Sequence, residues 1–393
     1  MPGSVIVAGA RTPIGRFSGG LASLTAMDLG GIAIKAALER AGVSPEQVDY
    51  VFMGQVLQAG QGQITARQAA SKAGIPMAKP ATTVNKVCLS GLNAIYLADL
   101  MIGAGEADIV VAGGMESMTN APYLLPGARE GYRMGDKTAV DSMMYDGLWC
   151  AFDSCAMGAG TEQYNQAAGY SRESQDNFSA NSHERASAAI KDGRMADEIV
   201  PVDVPQRRGD PVAVDTDEGV RPGTTGESLA QLRPAFDKEG TITAGNASQI
   251  SDGGSAVVVM SKAKADELGA QPLGEILSYG QVAGPDPSLL TQPSRAIAQA
   301  LDKIGKKASD IDAFEINEAF AVVALASMDD LGITDENVNV NGGAIALGHP
   351  IGMSGNRLAL TLLHELRRRG GGLGAVALCG GGGQGDAMLV RTL

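Results

Sequence analysis

Aromatic residues make up only 4% of the 393 residues, and histidine occurs three times. Scarce aromatics favour close backbone packing over aromatic recognition platforms. Only four cysteines are present, and no Cys-x-x-Cys pair occurs. So few thiols in so long a chain make no disulfide framework, and with so little histidine they make no zinc site. Excess positive charge is also missing. The net charge of −13 argues against nucleic acid or an anionic membrane surface as the main partner. No apolar run approaches the roughly 20 residues that span a bilayer. The start, Met1-Pro2-Gly3-Ser4-Val5-Ile6-Val7, lacks a charged n-region and a long apolar core. The expectation is a protein of the reducing cytoplasm with no metal.

Glycine is abundant, at 53 residues, and the hydrophobic share of 44% is ordinary. A chain of this length divides into two or three domains. Ser4–Ala8 reads as a buried strand closed by a turn from Gly9 to Pro13, Met27–Arg40 as a helix capped by Gly42, and Val48–Gly54 as a second strand. A β-branched run, Thr82-Thr83-Val84, leads into Asn85-Lys86-Val87-Cys88-Leu89-Ser90-Gly91 and then an alanine- and leucine-rich helix. Asp108–Gly114 reads as a buried strand ending in glycines. Alternating strands and helices of this kind indicate an α/β fold, a sheet covered by helices.

The pattern returns near the C-terminus. Ala37–Arg40 and Asp49–Met53 align at one constant offset with Ala300–Lys303 and Asp312–Ile316. Val87–Gly91 aligns with Ile351–Gly355, which makes Gly352 the counterpart of Cys88, and Ile109–Gly114 aligns with Val376–Gly381. Two similar α/β halves are the simplest explanation. Between them, residues 120–240 change character. Tyr123–Asp146 looks like an excursion loop, and Ser171–Gly193 like an exposed amphipathic helix with Phe178, Ala186 and Ile190 on its apolar side. A long insertion in a repeating frame is usually functional.

Cys88 falls at or near a helix N-terminus, where unpaired N–H groups and the helix dipole favour a thiolate. A buried structural cysteine is the bland alternative. His349 stands in a glycine-crowded turn, Gly348-His349-Pro350-Ile351-Gly352, and Cys379 precedes Gly380–Gly383. Taken together these are a nucleophile, a base and a second thiol able to move a proton, with Asn and glycine N–H groups available to hold an oxyanion. Cys150 and Cys155 read as packing residues. His183 reads as lying off the apolar face of its helix, and His364 as lying in a helix ending Arg367-Arg368-Arg369.

The motifs Val84–Gly91, Asn317-Glu318-Ala319-Phe320-Ala321, Gly348–Gly355 and Cys379–Gly382 resemble those of the thiolase family, over essentially the whole chain. The resemblance implies two similar halves in a five-layered α-β-α-β-α core plus an inserted loop domain. The halves would be 1–119 with 241–269, and 270–393. Residues 120–240 would bind coenzyme A, Tyr123–Asp146 would be a tetramerisation loop, and the assembly a homotetramer. It also implies an acetyl-CoA C-acetyltransferase, making acetoacetyl-CoA from two acetyl-CoA or cleaving it. The CoA thioesters are substrates, and no cofactor is needed. By resemblance Cys88 takes the acyl group, His349 activates it, and Cys379 is the general acid/base. One oxyanion hole would come from the N–H groups of Cys88 and Gly381, the other from His349 and a water held by Asn317. Leu148, Met157, Arg221, Ser228, Phe236, Ala247, Ser248, Ala319 and Phe320 would contact the CoA substrate.

Two stretches depart from the short-chain pattern. Ala156-Met157-Gly158 replaces the usual His-Met-Gly, and Leu290-Thr291-Gln292-Pro293 replaces Met-Gly-x-Gly-Pro. They leave acyl chain length open, with a longer-chain 3-ketoacyl-CoA thiolase as the alternative enzyme. A non-catalytic acyl-CoA- or lipid-binding relative is expected to have lost Cys88, His349 or Cys379, and all three are present.

Overall fold

The computed structural model describes residues 4–392. The first half runs β1 (Val5–Arg11), α1 (Ala26–Ala41), β2 (Tyr50–Gly54), α2 (Thr65–Lys72), β3 (Ala81–Val84), α3 (Ser90–Gly103) and β4 (Ile109–Ser117). The insertion follows, with α4 (Met157–Ala168) and α5 (Arg172–Lys191) as its main helices. The chain then re-enters the first half through β5 (Ser251–Met260) and α6 (Lys262–Leu268). The second half comprises β6 (Gly274–Ala283), α7 (Gln292–Asp302), β7 (Ala313–Ile316), α8 (Ala321–Leu331), α9 (Ser354–Arg368), β8 (Gly372–Gly380) and β9 (Gln384–Thr392).

These strands form one mixed path, β7-β8-β9-β6-β1-β5-β4-β2-β3, within a ten-stranded sheet. Within the sheet the halves join through the short β1–β6 pairing of Val5 with Glu275 and Ile6 with Gly274. Side chains alternate across each strand, as the two-residue period of a strand requires. Val51 and Met53 of β2 face α1 and α2, whereas Phe52 faces an inner core with Leu92 and Ile95 of α3 and Leu358 and Leu362 of α9. In the second half Val376 and Leu378 face that same inner core, and Ala375 and Ala377 pack on α7 and α8. The layers are therefore helices, sheet, the α3–α9 pair, sheet, helices. This is the expected five-layered arrangement.

The ladders repeat between halves. Tyr50 pairs with Val110 where Ala313 pairs with Gly374. Register shifts between Ile6 and Ala8 in one half, and between Ile276 and Ser278 in the other. This register corrects one expectation. Ile109–Gly114 matches Leu373–Leu378, three residues earlier than the glycine runs suggest. Gly113 and Gly114 lie inside β4, while the run beginning at Gly380 turns the chain from β8 into β9. Two further readings shift. β1 continues through Gly9 and Ala10 to Arg11 in ladder with β5, with no turn at Gly9. His183 is buried on α5, not off the apolar face, and its Nδ1 accepts the Arg221 N–H at 3.1 Å.

The insertion is bolted to the first half from beneath. The wholly buried Arg11 at the end of β1 pairs with Glu198 at 2.8 Å and Asp217 at 2.7 Å. Its second carboxylate also takes the Ile14 N–H at 2.8 Å. Burial of a guanidinium is costly unless paired and hydrogen-bonded, and here both acids meet it.

Candidate active site

Strand ends and helix starts of both halves meet over one hollow. Cys88 stands in the turn between β3 and α3, two residues before the helix begins at Ser90. Cys379 is the penultimate residue of β8, opposite Gly385. His349 lies between a one-turn helix, Ala344–Leu347, and α9. All three line one inner cavity of about 60 Å³, with Gly380 and Gly381 at its floor and Leu148, Met157, Ser248, Leu289, Ala319 and Phe320 on its walls. A wider vestibule of about 280 Å³ shares Leu148, Met157, Ser248, Ala319, Phe320 and His349, and adds Ala156, Phe236 and Ala247. Phe236 lies near its mouth, with its ring packed edge-on to Phe320 at 6.4 Å between centroids.

Hydrogen bonds orient His349. Its backbone N–H donates to Gln249 O at 3.0 Å, and its Nδ1 lies 2.6 Å from Ser354 Oγ. The Ser354 hydroxyl in turn donates to Pro350 O at 2.9 Å. This pattern assigns the ring proton to Nδ1, since the hydroxyl hydrogen is already engaged. Nε2 then carries the lone pair and faces Asn317 Nδ2 at 3.4 Å. Asn317 Oδ1 is buried with no partner among the described residues, leaving an acceptor for a ligand or water beside the ring. Asn317 is not part of the cavity wall and adjoins it through the His349 ring.

Electrostatics correct the thiolate expectation. Burial pushes the Cys88 thiol up to about 12, and Glu116 beneath it adds to the rise. Only a backbone hydrogen bond opposes, so burial outweighs the start of α3. Burial, and then Cys88 itself, also raise Cys379. Burial followed by the Arg357 charge lowers His349 to about 3. At rest the site holds two thiols and a neutral imidazole.

Glycine decides where a side chain can stand. A Cβ on Gly352, the counterpart of Cys88, would come within 2.8 Å of Gln55 Cα and 2.9 Å of Glu116 Oε2. The Gly352 carbonyl is itself packed on β4, 2.1 Å from where a Gly114 Cβ would lie. Glu116 accepts the N–H groups of Val56 at 2.9 Å, Leu57 at 3.1 Å and Gly352 at 3.0 Å, tying the two halves below the cysteine.

Of the residues expected at the substrate, Leu148, Met157, Phe236, Ala247, Ser248, Ala319 and Phe320 line the two spaces. Arg221 and Ser228 do not. Both are exposed, and Ser228 forms a capping box with Thr225. Glu318, from the same motif as Asn317, is structural: it accepts Ser182 Oγ at 2.7 Å, Asn339 Nδ2 at 2.9 Å and the Ile345 N–H at 3.0 Å. Of the Leu290–Pro293 stretch, Leu290 packs in the core beside Cys379, and Gln292 and Pro293 open α7. Its neighbour Leu289 reaches the inner wall. Sequence reasoning missed Leu289, Ile351, Met118, Met144 and Ser354, because apolar or small residues carry no chemical signature of their own. Cys150 is buried, and Cys155 pairs with it across a two-stranded hairpin. No group of three or more His, Cys, Asp or Glu among the described residues is arranged to hold a metal ion, and no described helix is long and apolar enough to cross a membrane.

Comparison with known proteins agrees with this geometry along the full length. The thiolase N-terminal domain matches residues 4–263, and the thiolase C-terminal domain matches residues 270–392. A probable acetyl-CoA acetyltransferase of Mycolicibacterium smegmatis is 58% identical over 387 residues, covering 98% of this chain and 100% of that protein. The acetyl-CoA acetyltransferases of Cupriavidus necator and Pseudomonas aeruginosa are 55% and 52% identical, each over 98% of both chains. With two cysteines and a histidine from two repeated halves converging on one cavity, and both family domains matched end to end, the chain belongs to the thiolase family.

Proposed function

We propose that this thiolase is an acetyl-CoA C-acetyltransferase, condensing two acetyl-CoA to acetoacetyl-CoA or running the reverse thiolysis through acetyl-Cys88. The observation that carries the reading is the meeting of Cys88, His349 and Cys379 in one small cavity. Its roughly 60 Å³ is less than half of the ~150 Å³ apolar cavity that accepts benzene, so it suits a two-carbon acyl group. The wider vestibule suits the pantetheine arm, and the nucleotide end would extend past Phe236 toward Ser228 and Arg221.

The neutral resting state supports a closed proton cycle. His349 Nε2 takes the Cys88 proton as sulfur attacks the thioester carbonyl; the new C–S bond forms, and the bond to CoA sulfur breaks. Cys379 protonates the departing CoA sulfur and is left as thiolate. It then takes a methyl proton from the second acetyl-CoA, and the carbanion attacks acetyl-Cys88. Cys88 leaves and recovers its proton from His349. Each attack places negative charge on a thioester oxygen, where a preorganised donor such as the Cys88 or Gly381 N–H contributes about 3–4 kcal/mol. The CoA thioesters are the only small molecules this cycle needs.

The remaining features follow the same reading. Residues 1–119 with 241–269 and residues 270–393 are the catalytic halves of this reading, residues 1–3 and 393 lying outside those described, and 120–240 is the CoA-binding loop domain. The exposed Tyr123, Leu125 and Met134 suit a loop that joins dimers into a homotetramer, working in the cytoplasm. Substrates are acetyl-CoA, acetoacetyl-CoA and CoA.

Thiolysis by the purified protein tests the assignment. Acetoacetyl-CoA is expected to be cleaved about 100-fold faster than a ten-carbon 3-ketoacyl-CoA. Equal or faster cleavage of the longer substrate selects the longer-chain thiolase, the alternative that Ala156 in the vestibule wall leaves open. Turnover of neither removes the enzyme reading in favour of a binding protein.

A further inference from the structure

The turn that carries Cys88 opposes its own sequence. Val87 has φ 51°, in the left-handed region, where a β-branched residue persists only if its surroundings hold it there. Three bonds close the turn on itself. The Val87 N–H donates to Asn85 Oδ1 at 3.1 Å, the Lys86 N–H to Ser90 Oγ at 2.8 Å, and the Ser90 hydroxyl to Val87 O at 2.6 Å. None of them reaches the other half of the molecule.

The Lys86 side chain does. Its ammonium donates to both carboxylate oxygens of Asp386 on β9, at 2.8 and 3.0 Å. The Asp386 side chain is fully buried and also accepts the Tyr279 hydroxyl at 2.6 Å. The Tyr279 ring stacks on Tyr96 of α3 at 4.1 Å, so the anchor itself is rigid. In the β8–β9 ladder Asp386 faces Leu378, and the next pair is Cys379 with Gly385. The ammonium is thus fastened one ladder step from the second cysteine.

We propose that Lys86 is a positioning residue: its ion pair with Asp386 holds the strained Val87 turn against the second half and so sets the Cys88 thiol opposite Cys379. The inference rests on Cys88 as the acyl acceptor. A placement error of about 1 Å between reacting groups costs on the order of 100-fold in rate, which is the scale of effect at stake.

Removing Lys86 alone also strands a buried carboxylate, which confuses placement with stability. The test therefore compares Lys86→Met, the charge-balanced pair Lys86→Met with Asp386→Asn, and Lys86→Arg. Three readouts are followed: thermal unfolding, transfer of labelled acetyl from acetyl-CoA to Cys88, and alkylation of Cys88 by iodoacetamide, with Cys88→Ser as the blank. The expected result is that the balanced pair recovers the parental melting temperature while acetylation and alkylation stay at least about tenfold slow. Lys86→Arg is expected to keep both rates within about threefold of the parent. Parental rates in the balanced pair overturn the proposal, as does a Lys86→Arg protein of parental melting temperature that reacts as slowly as Lys86→Met. Alkylation needs no acyl chemistry, so a parent that takes no acetyl label fails the acyltransferase reading while the alkylation rates still judge Lys86.

Discussion

The two halves place the same helix start at the same point and use it for opposite ends. In the first half the turn before α3 carries Cys88, and Ser90 braces the backbone beneath it. In the second half the equivalent turn before α9 carries Gly352, and the equivalent serine, Ser354, holds the His349 ring. The second half carries no side chain at this place because there is no room: Gly352 is wedged against Gln55, Glu116 and β4. A duplicated frame thus makes an asymmetric site. One copy surrenders its side chain so that the two turns can touch, and the other keeps the thiol.

Replacing Cys88 with Ala should produce the largest effect, a loss of turnover of about 10³-fold or more, with no acetyl label on the protein. Retained label on the Cys88→Ala protein would show that the halves are not divided in this way. Gly352→Ala should instead strike stability, by about 1–3 kcal/mol or more, since a backbone atom and a buried carboxylate face the new methyl group and neither can retreat. A denaturant midpoint equal to the parent's would remove the steric reason for the asymmetry.

Acid acts on the buried ring that the second half supplies. His349 is held down to about 3, against an ordinary value near 6.5, so it stabilises the fold fully above pH 6.5 and that contribution is lost as pH falls toward 3. Urea unfolding of His349→Gln across that window should show a shallower loss than the parent. The slope will not vanish, because burial also lowers His183 to about 4 and lowers His364. An identical slope would mean that the ring is not buried neutral.

The finest comparison is between the paired serines. Ser354→Ala should lower kcat about tenfold and shift its pH profile, because the ring loses the acceptor that keeps its proton on Nδ1. Ser90→Ala should cost about 1 kcal/mol of stability, the ordinary worth of a buried hydrogen bond. Equal kinetic and thermal responses in the two variants would erase the distinction.

Alternation of strands and helices, the repeat, and the four motifs that bring Cys88, Asn317, His349 and Cys379 into view were legible in the chain, because periodicity and reactive side chains leave direct marks on sequence. The match of Cys88 to Gly352 was legible too, since the serines and glycines around it repeat. The register of β4 against β8 was not. A glycine run looks the same whether it lies inside a strand or makes the turn after it, and only the ladder partners distinguish Gly113-Gly114 from Gly380–Gly383.

Which residues could react was therefore a property of the sequence alone. How they stand was decided by the tertiary structure. The start of α3 suggested a thiolate at Cys88, yet enclosure between the halves holds it as a thiol, because desolvation of a charge outweighs the few N–H groups at a helix end. The same enclosure strips the charge from His349 and gives Lys86 a buried partner three hundred residues away in the chain. Local pattern chooses the side chains, and the closing of one half on the other sets their protonation and their aim.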